Sequence, residues 1–139
     1  MAGEEEAIRR LSSELNYLNE QSKVLSNNLS LLSSHRNEIG MSLVTLEGLK
    51  DVKEGNEVLI PVGAGNFVKG KIGDTKNIIT TLAREVTMER TIEETITKLT
   101  ETLKEVEKNI GQNEATLQNI GARMEQIERQ AEEIMQKKQ

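Results

Sequence analysis

Residues 57–72, which read EVLIPVGAGNFVKGKI, separate two long segments with helical periodicity. The first part is a short apolar run rich in β-branched residues, and residues 66–72 alternate apolar and polar side chains. The intervening Gly63-Ala64-Gly65 is typical of a turn, so the stretch predicts a β-hairpin. Pro61 has no N–H to donate and therefore indicates an edge strand or a bulge.

A second hairpin is predicted directly after the first. GDTK (73–76) is a turn signal, NIITTL (77–82) is β-branched, and EVTME (85–89) again alternates. Four short strands cannot cover both faces or protect their edges alone, so we expect them to pair with other chains and close into a barrel. The predicted oligomer interface comprises Val58, Ile60, Val62, Phe67, Val68, Ile72, Ile78, Ile79 and Val86.

The glycines of this segment raise the possibility of a nucleotide-binding loop. Gly65, Gly70 and Lys71 have the spacing of G-x-x-x-x-G-K. The residue that follows must carry a hydroxyl to ligate magnesium, and the loop must run into a helix, but Ile72 follows here and leads into more β-type sequence. The context therefore disfavours nucleotide binding.

An unbroken heptad pattern precedes the strands. Its steps alternate between three and four residues, and ten of its twelve positions are apolar. This 3.5-residue period predicts a coiled-coil seam. The series is Ile8, Leu11, Leu15, Leu18, Ser22, Leu25, Leu29, Leu32, Arg36, Ile39, Leu43 and Leu46.

A second heptad pattern follows the strands, with Asn113 as its only polar member. Thr91 and Glu94 form a capping-box pattern that predicts the helix start. The series is Ile92, Ile96, Leu99, Leu103, Val106, Ile110, Asn113, Leu117, Ile120, Met124, Ile127, Ala131 and Ile134. Two seams of similar length favour an antiparallel pair within one chain.

The predicted fold is therefore α+β: a long antiparallel two-helix coiled coil joined by two β-hairpins that assemble into an intersubunit β-barrel. We expect an N-terminal helix over 1–50, an oligomerisation platform over 51–90 and a C-terminal helix over 91–139.

Composition limits the function. The net charge of −5 argues against a nucleic-acid partner, and no apolar run is long enough to span a membrane. The chain has no Cys, a single His and none of the hydrolase or metalloprotease motifs. We therefore expect a cytoplasmic protein that is not an enzyme and has no cofactor, metal or catalytic site.

The stretch EVLIPVGAGNFVKGKI resembles the first hairpin of α-type prefoldin subunits, in which a short apolar strand ends in Pro-x-Gly-x-Gly and an aromatic-containing strand follows. The segment between the helices is long enough for two hairpins, which is the pattern of α-type subunits. The resemblance implies a chaperone hexamer of two α-type and four β-type subunits that captures unfolded polypeptides at the distal ends of its coiled coils. It also implies transfer to a group II chaperonin without ATP. One departure is the second turn, LARE (82–85), which lacks glycine and predicts a longer or differently shaped turn.

The resemblance places client binding at the free ends of the two helices, where a seam that opens exposes aliphatic side chains. The predicted tip residues are Ile8, Leu11, Leu15, Ile127, Ala131, Ile134 and Met135. For any one of them the simpler interpretation is that it only packs in the coiled-coil seam, and the site hypothesis rests on the set as a whole. The alternative function is a structural adaptor whose hairpins dock one fixed partner while the helices act as spacers.

Overall fold

The computed structural model describes residues 2–137, and the ends of the two predicted helices at residues 1, 138 and 139 lie outside this range. It contains two long helices with two β-hairpins between them, as the sequence predicts. The elements are α1 (Ala2–Leu49), β1 (Glu57–Gly63), β2 (Asn66–Lys71), β3 (Asn77–Ala83), β4 (Val86–Thr91) and α2 (Ile92–Lys137).

The chain divides into two compact units. We call residues 2–35 with 106–137 the helical unit, and Arg36–Glu105 the strand-bearing unit. All 25 predicted seam positions are buried or half-buried. The six well-buried apolar side chains among the described residues are all seam members, namely Ile39, Leu46, Ile92, Val106, Ile110 and Ile127. The heptad spacing therefore identified the apolar core correctly.

Helix α2 begins at a reciprocal capping box. The backbone N–H of Glu94 donates to the hydroxyl of Thr91 at 3.1 Å, and the N–H of Thr91 donates to the Glu94 carboxylate at 3.3 Å. Each side chain thus satisfies an amide that the first helical turn leaves unpaired. Two acidic residues in this turn, Glu93 and Glu94, also complement the positive end of the helix dipole.

The first hairpin pairs β1 with β2 in antiparallel register, with Ile60 opposite Val68 and Pro61 opposite Phe67. The register shifts between Pro61 and Gly63, which confirms the expected irregularity beside the proline. Gly65 lies in the turn, whereas Gly70 and Lys71 lie in β2. The suspected phosphate loop is therefore a turn and its return strand, without the following helix that phosphate binding requires.

The second hairpin pairs β3 with β4 and shows the same register shift, here between Thr81 and Ala83. Its turn is no longer than the first: two residues lie between the paired Ala83 and Val86, as between Gly63 and Asn66. The second turn is therefore not longer but differently shaped, which is the second of the two predicted possibilities. In the first turn Ala64 and Gly65 both have positive φ (50° and 79°), whereas in the second Glu85 does, at 61°.

Candidate functional site: grooves of the helical unit and faces of the hairpins

One groove of about 290 Å³ lies between α1 and α2 in the helical unit. Five of the seven predicted tip residues line it, and the carboxylates of Glu128 and Glu132 stand beside them. Its lining is Leu11, Ser12, Leu15, Ile127, Glu128, Ala131, Glu132 and Met135. The two seam segments thus form a shallow, largely aliphatic channel with acidic groups at its rim.

A second groove, of about 480 Å³, is more polar. Ala7, Leu11 and Ile134 supply its apolar lining, while Arg10, Glu14, Arg123 and Glu133 supply charge. Ile134 is thus the sixth predicted tip residue to line a groove. The seventh, Ile8, is half-buried and lines neither of the two.

The tip residues differ in accessibility. Ile127 is only 1% exposed, so in this conformation it closes the seam and offers no surface. Met135 is 61% exposed, and its flexible thioether side chain can adapt to many apolar shapes. The remaining five are half-buried. A ligand in the groove would touch Met135 and the edges of the half-buried residues first.

An ion pair that the sequence reading did not identify joins the two helices beside these grooves. Arg123 donates from Nε to Glu14 Oε1 at 2.7 Å and from Nη2 to Glu14 Oε2 at 2.8 Å. These hydrogen bonds lower the pKa of Glu14 and raise that of Arg123. Both residues immediately precede a seam position, so flanking-charge analysis could have proposed the pair once the helix register was known.

The hairpins expose apolar residues on both faces. In the first hairpin the cross-strand pair Ile60 and Val68 lies on one face, and the pair Pro61 and Phe67 lies on the other. In the second hairpin the adjacent Ile78 and Ile79 also point to opposite faces. No residue of the four strands that the structure describes is buried.

The predicted interface residues are consequently divided between two faces of each hairpin and do not form one patch. Seven of the nine are exposed or half-buried strand residues with β-branched side chains, Phe67 is aromatic, and Ile72 follows the end of β2. Ile72 instead forms backbone hydrogen bonds with Gly55 and Asn56, at 2.7 and 2.8 Å. Three further strand residues outside the predicted set are apolar and exposed: Leu59, Leu82 and Met88.

A cleft of about 920 Å³ in the strand-bearing unit is lined mainly by charged and polar groups, including Lys50, Lys53, Lys76 and Asp74. The Asp74 carboxylate is engaged in local hydrogen bonds: it accepts from the Lys76 N–H at 2.8 Å and from the Asn77 side-chain amide at 2.9 Å. These hydrogen bonds lower the pKa of Asp74. Within residues 2–137 no cluster of three or more His, Asp or Glu is placed to hold a metal ion. In the same range no helix is long and apolar enough to cross a membrane.

Comparison with known proteins agrees with this architecture. The family model described as "Prefoldin subunit" matches residues 25–137. Prefoldin subunit alpha of Pyrococcus horikoshii is 34% identical over 138 residues, which cover 99% of this chain and 93% of the relative. Prefoldin subunit alpha 1 of Thermococcus kodakarensis is 36% identical over 96 residues, which cover 69% of this chain and 66% of the relative.

A solved structure with the same fold is filamentous PFD from Methanocaldococcus jannaschii, seen by electron cryo-microscopy. The similarity has a TM-score of 0.56 at 23% identity and covers 91% of this chain and 99% of that one.

The chain therefore belongs to the prefoldin family, a family of chaperones and not of enzymes. Within that family it is an α-type subunit, as its two hairpins and its alpha-subunit relatives indicate. Prefoldins assemble as oligomers with other prefoldin subunits.

Proposed function

We propose that this chain is the α-type subunit of a cytoplasmic, ATP-independent holdase hexamer containing two α-type and four β-type subunits. It captures unfolded polypeptides at the grooved end of its helix pair and delivers them to a group II chaperonin. The observation that carries the proposal is the aliphatic groove between α1 and α2, lined by Leu11, Leu15, Ala131 and Met135.

The shape of this groove suits weak and unselective binding. It is shallow, and its floor is the half-buried edge of a coiled-coil seam, so an unfolded segment gains apolar contact without a fitted pocket. One such contact is weak, but several helix pairs in one assembly bind a long chain together with much greater avidity. Release then requires no nucleotide, because each individual contact dissociates readily.

Exposure of the hairpins supports the assembly part of the proposal. Phe67 is 57% exposed and lies opposite Pro61, while Ile60 and Val68 are exposed on the other face. Among residues 2–137, no further strand pairs with the outer edges of either two-stranded sheet. Neighbouring subunits would satisfy these backbone groups and cover at least one apolar face.

Suppression of aggregation tests the groove directly. The protein assembled with β-type subunits is mixed with a denatured protein, and light scattering is followed. We expect the assembly to suppress aggregation, and the double substitution Ala131→Gln/Met135→Gln to weaken this several-fold because it fills the groove with polar groups. Asn109→Gln/Asn119→Gln is the matched control, since both asparagines are exposed on α2.

Sedimentation must show that each variant still assembles. Equal protection by Ala131→Gln/Met135→Gln and the control would rule out this groove as the client site. If the unsubstituted assembly gives no protection at all, the holdase proposal fails and the structural adaptor becomes the better explanation. Transfer is measured by adding a group II chaperonin to a preformed complex with a fluorescent client, without ATP, and we expect the label to move to the chaperonin.

A further inference from the structure

Helix α1 carries a line of exposed apolar side chains that takes no part in its seam. Tyr17, Val24 and Leu31 are 63%, 53% and 70% exposed. They are spaced seven residues apart, so they lie on one face of the helix at intervals of about 10.5 Å. We call these three residues the α1 stripe.

The stripe is particular to α1. Among the residues of α2 that the structure describes, Met135 alone is an exposed large apolar side chain. The part of α1 that carries Val24 and Leu31 is also unusually poor in charge. Residues 24–34, VLSNNLSLLSS, contain no charged side chain, in a protein of which 29% is charged. Lys23 and Arg36 are the nearest charges on either side.

These features restrict what can cover the stripe. A helical partner in a coiled coil needs two apolar residues per heptad, and the stripe supplies one. Three side chains expose on the order of 300 Å² together, whereas a stable folded partner buries about 800 Å² per side. The two charges between Tyr17 and Val24, Glu20 and Lys23, pair with each other at 3.5 Å, and no charge lies between Val24 and Leu31. The stripe therefore offers few unpaired charges by which one structured partner could be selected.

We propose that the α1 stripe is a second binding site for apolar segments of unfolded polypeptides, separate from the groove between the helices. An extended segment can place an apolar residue on each stripe member in turn, and Ser and Asn between them hydrogen-bond with its exposed backbone. This inference rests on the holdase function proposed above and extends it along the shaft of α1. The stripe would lengthen the footprint on a client and raise avidity.

Site-specific photo-crosslinking tests this. A benzophenone amino acid replaces Leu31 in the assembly with β-type subunits, and an unfolded protein without disulfides is added before irradiation. The control position is Asn109, exposed on α2 in the same helical unit. We expect a crosslink to the unfolded protein from position 31 and little from position 109.

The affinity of the assembly for the unfolded protein provides an independent test. Tyr17→Gln/Val24→Gln/Leu31→Gln keeps good helix formers in the helix, and Asn16→Gln/Asn27→Gln/Ser30→Gln is matched to it at exposed polar positions. We expect the stripe variant to raise the dissociation constant for the unfolded protein roughly 3- to 10-fold, with the circular dichroism and sedimentation of the assembly unchanged.

Any one of three results would overturn the proposal that the α1 stripe binds unfolded polypeptides. Position 31 could crosslink only to another subunit, or give no crosslink above the control, or the stripe variant could bind with an unchanged dissociation constant. If the unsubstituted assembly binds no unfolded protein, both the stripe and the holdase function fail. If it binds normally while the stripe variant binds equally well, the stripe fails and the holdase function stands.

Discussion

Arg123 on α2 holds Glu14 on α1 through two parallel hydrogen bonds of 2.7 and 2.8 Å, although 109 positions separate them in sequence. Arg123 also donates to Gln126 at 3.0 Å, which steadies the guanidinium. A bidentate pair of this kind tolerates little sliding of one helix past the other. Since both residues flank the seam, the pair sets the antiparallel register beside the candidate client groove.

Removing the charge of Glu14 should therefore loosen the helical unit. We expect Glu14→Gln to lower the thermal midpoint by a few degrees and to speed amide hydrogen exchange in residues 7–15 and 123–135, because one strong hydrogen-bonded pair is lost. Glu20→Gln is the control, because Glu20 pairs with Lys23 on the same helix, at 3.5 Å and with both side chains largely exposed. Equal effects from the two substitutions would show that the Glu14–Arg123 pair does not stabilise the contact between the helices.

The same pair makes a prediction about pH. Its hydrogen bond with Arg123 lowers the Glu14 pKa from its ordinary value of 4.5. A carboxylate whose pKa is lowered by folding stabilises the fold above its ordinary pKa, and that contribution is lost as the pH falls through the lowered pKa. The difference in thermal midpoint between the unsubstituted protein and Glu14→Gln should thus be constant near neutrality and shrink only below pH 4.5. A gap that closes between pH 8 and 6 would contradict this.

Exchanging the two charges tests the pair without changing composition. Glu14→Arg and Arg123→Glu should each destabilise the helical unit, because each places like charges together. The double substitution should recover a large part of the loss, and the coupling measured by the double-mutant cycle reports the direct interaction. Additive losses would mean that the two side chains act independently in solution.

Much of this structure could be read from the sequence because its determinants are local or periodic. The seam and the capping box at Thr91 each follow from spacing or from the chemistry of one residue. The register shift beside Pro61 was expected too, but it recurs at the same place in the second hairpin, which has no proline, so it belongs to the turn. The Glu14–Arg123 pair could not be chosen in advance, since many charges flank the seams and the register between the helices decides which of them meet.

Other features also depended on three-dimensional register. The strand register was needed to show which cross-strand residues share a face: Ile60 lies with Val68, and Pro61 lies with Phe67. The lack of glycine in the second turn indicated a different shape, but not that Glu85, a residue without glycine's freedom, would take the positive φ itself. For the candidate client site, the sequence identified residues that line the grooves, but the proposed capture of an unfolded chain needs no fixed motif and so leaves no unique signature.

The capping box gives a prediction about α2. Thr91→Ala removes the acceptor for the Glu94 N–H and should lower the free energy of unfolding by about 1 kcal/mol. Thr91→Ser retains the hydroxyl and should stay close to the unsubstituted protein. Chemical denaturation of the two variants under identical assembly conditions measures the difference. Equal midpoints for Ala and Ser would show that the hydroxyl contributes nothing.

Glycines inside the helical unit offer a stabilising change. A Cβ built at Gly111 or Gly121 meets nothing within 4 Å, and neither residue has a positive φ. Gly111→Ala and Gly121→Ala should each raise the free energy of unfolding by about 1 kcal/mol, because alanine loses less backbone entropy in a helix. The measurement is the denaturation midpoint. A loss of client protection alongside the gain in stability would indicate that bending at these glycines serves binding.

Unlike the helical glycines, Gly70 has no room for a side chain, because the side chain of Ile60 packs over it across the first hairpin. A Cβ at this position would lie 2.8 Å from Ile60 Cδ1, so the isoleucine must rotate away. Because Ile60 is a predicted interface residue at the edge of an uncovered face, Gly70→Ala should weaken assembly with β-type subunits while the helices keep their stability. Gly73→Ala is the matched control, because its Cβ meets nothing within 4 Å. Sedimentation of each variant mixed with β-type subunits compares their assembly. If Gly70→Ala assembles at the same concentration as Gly73→Ala, this face of the hairpin is excluded from the subunit contact.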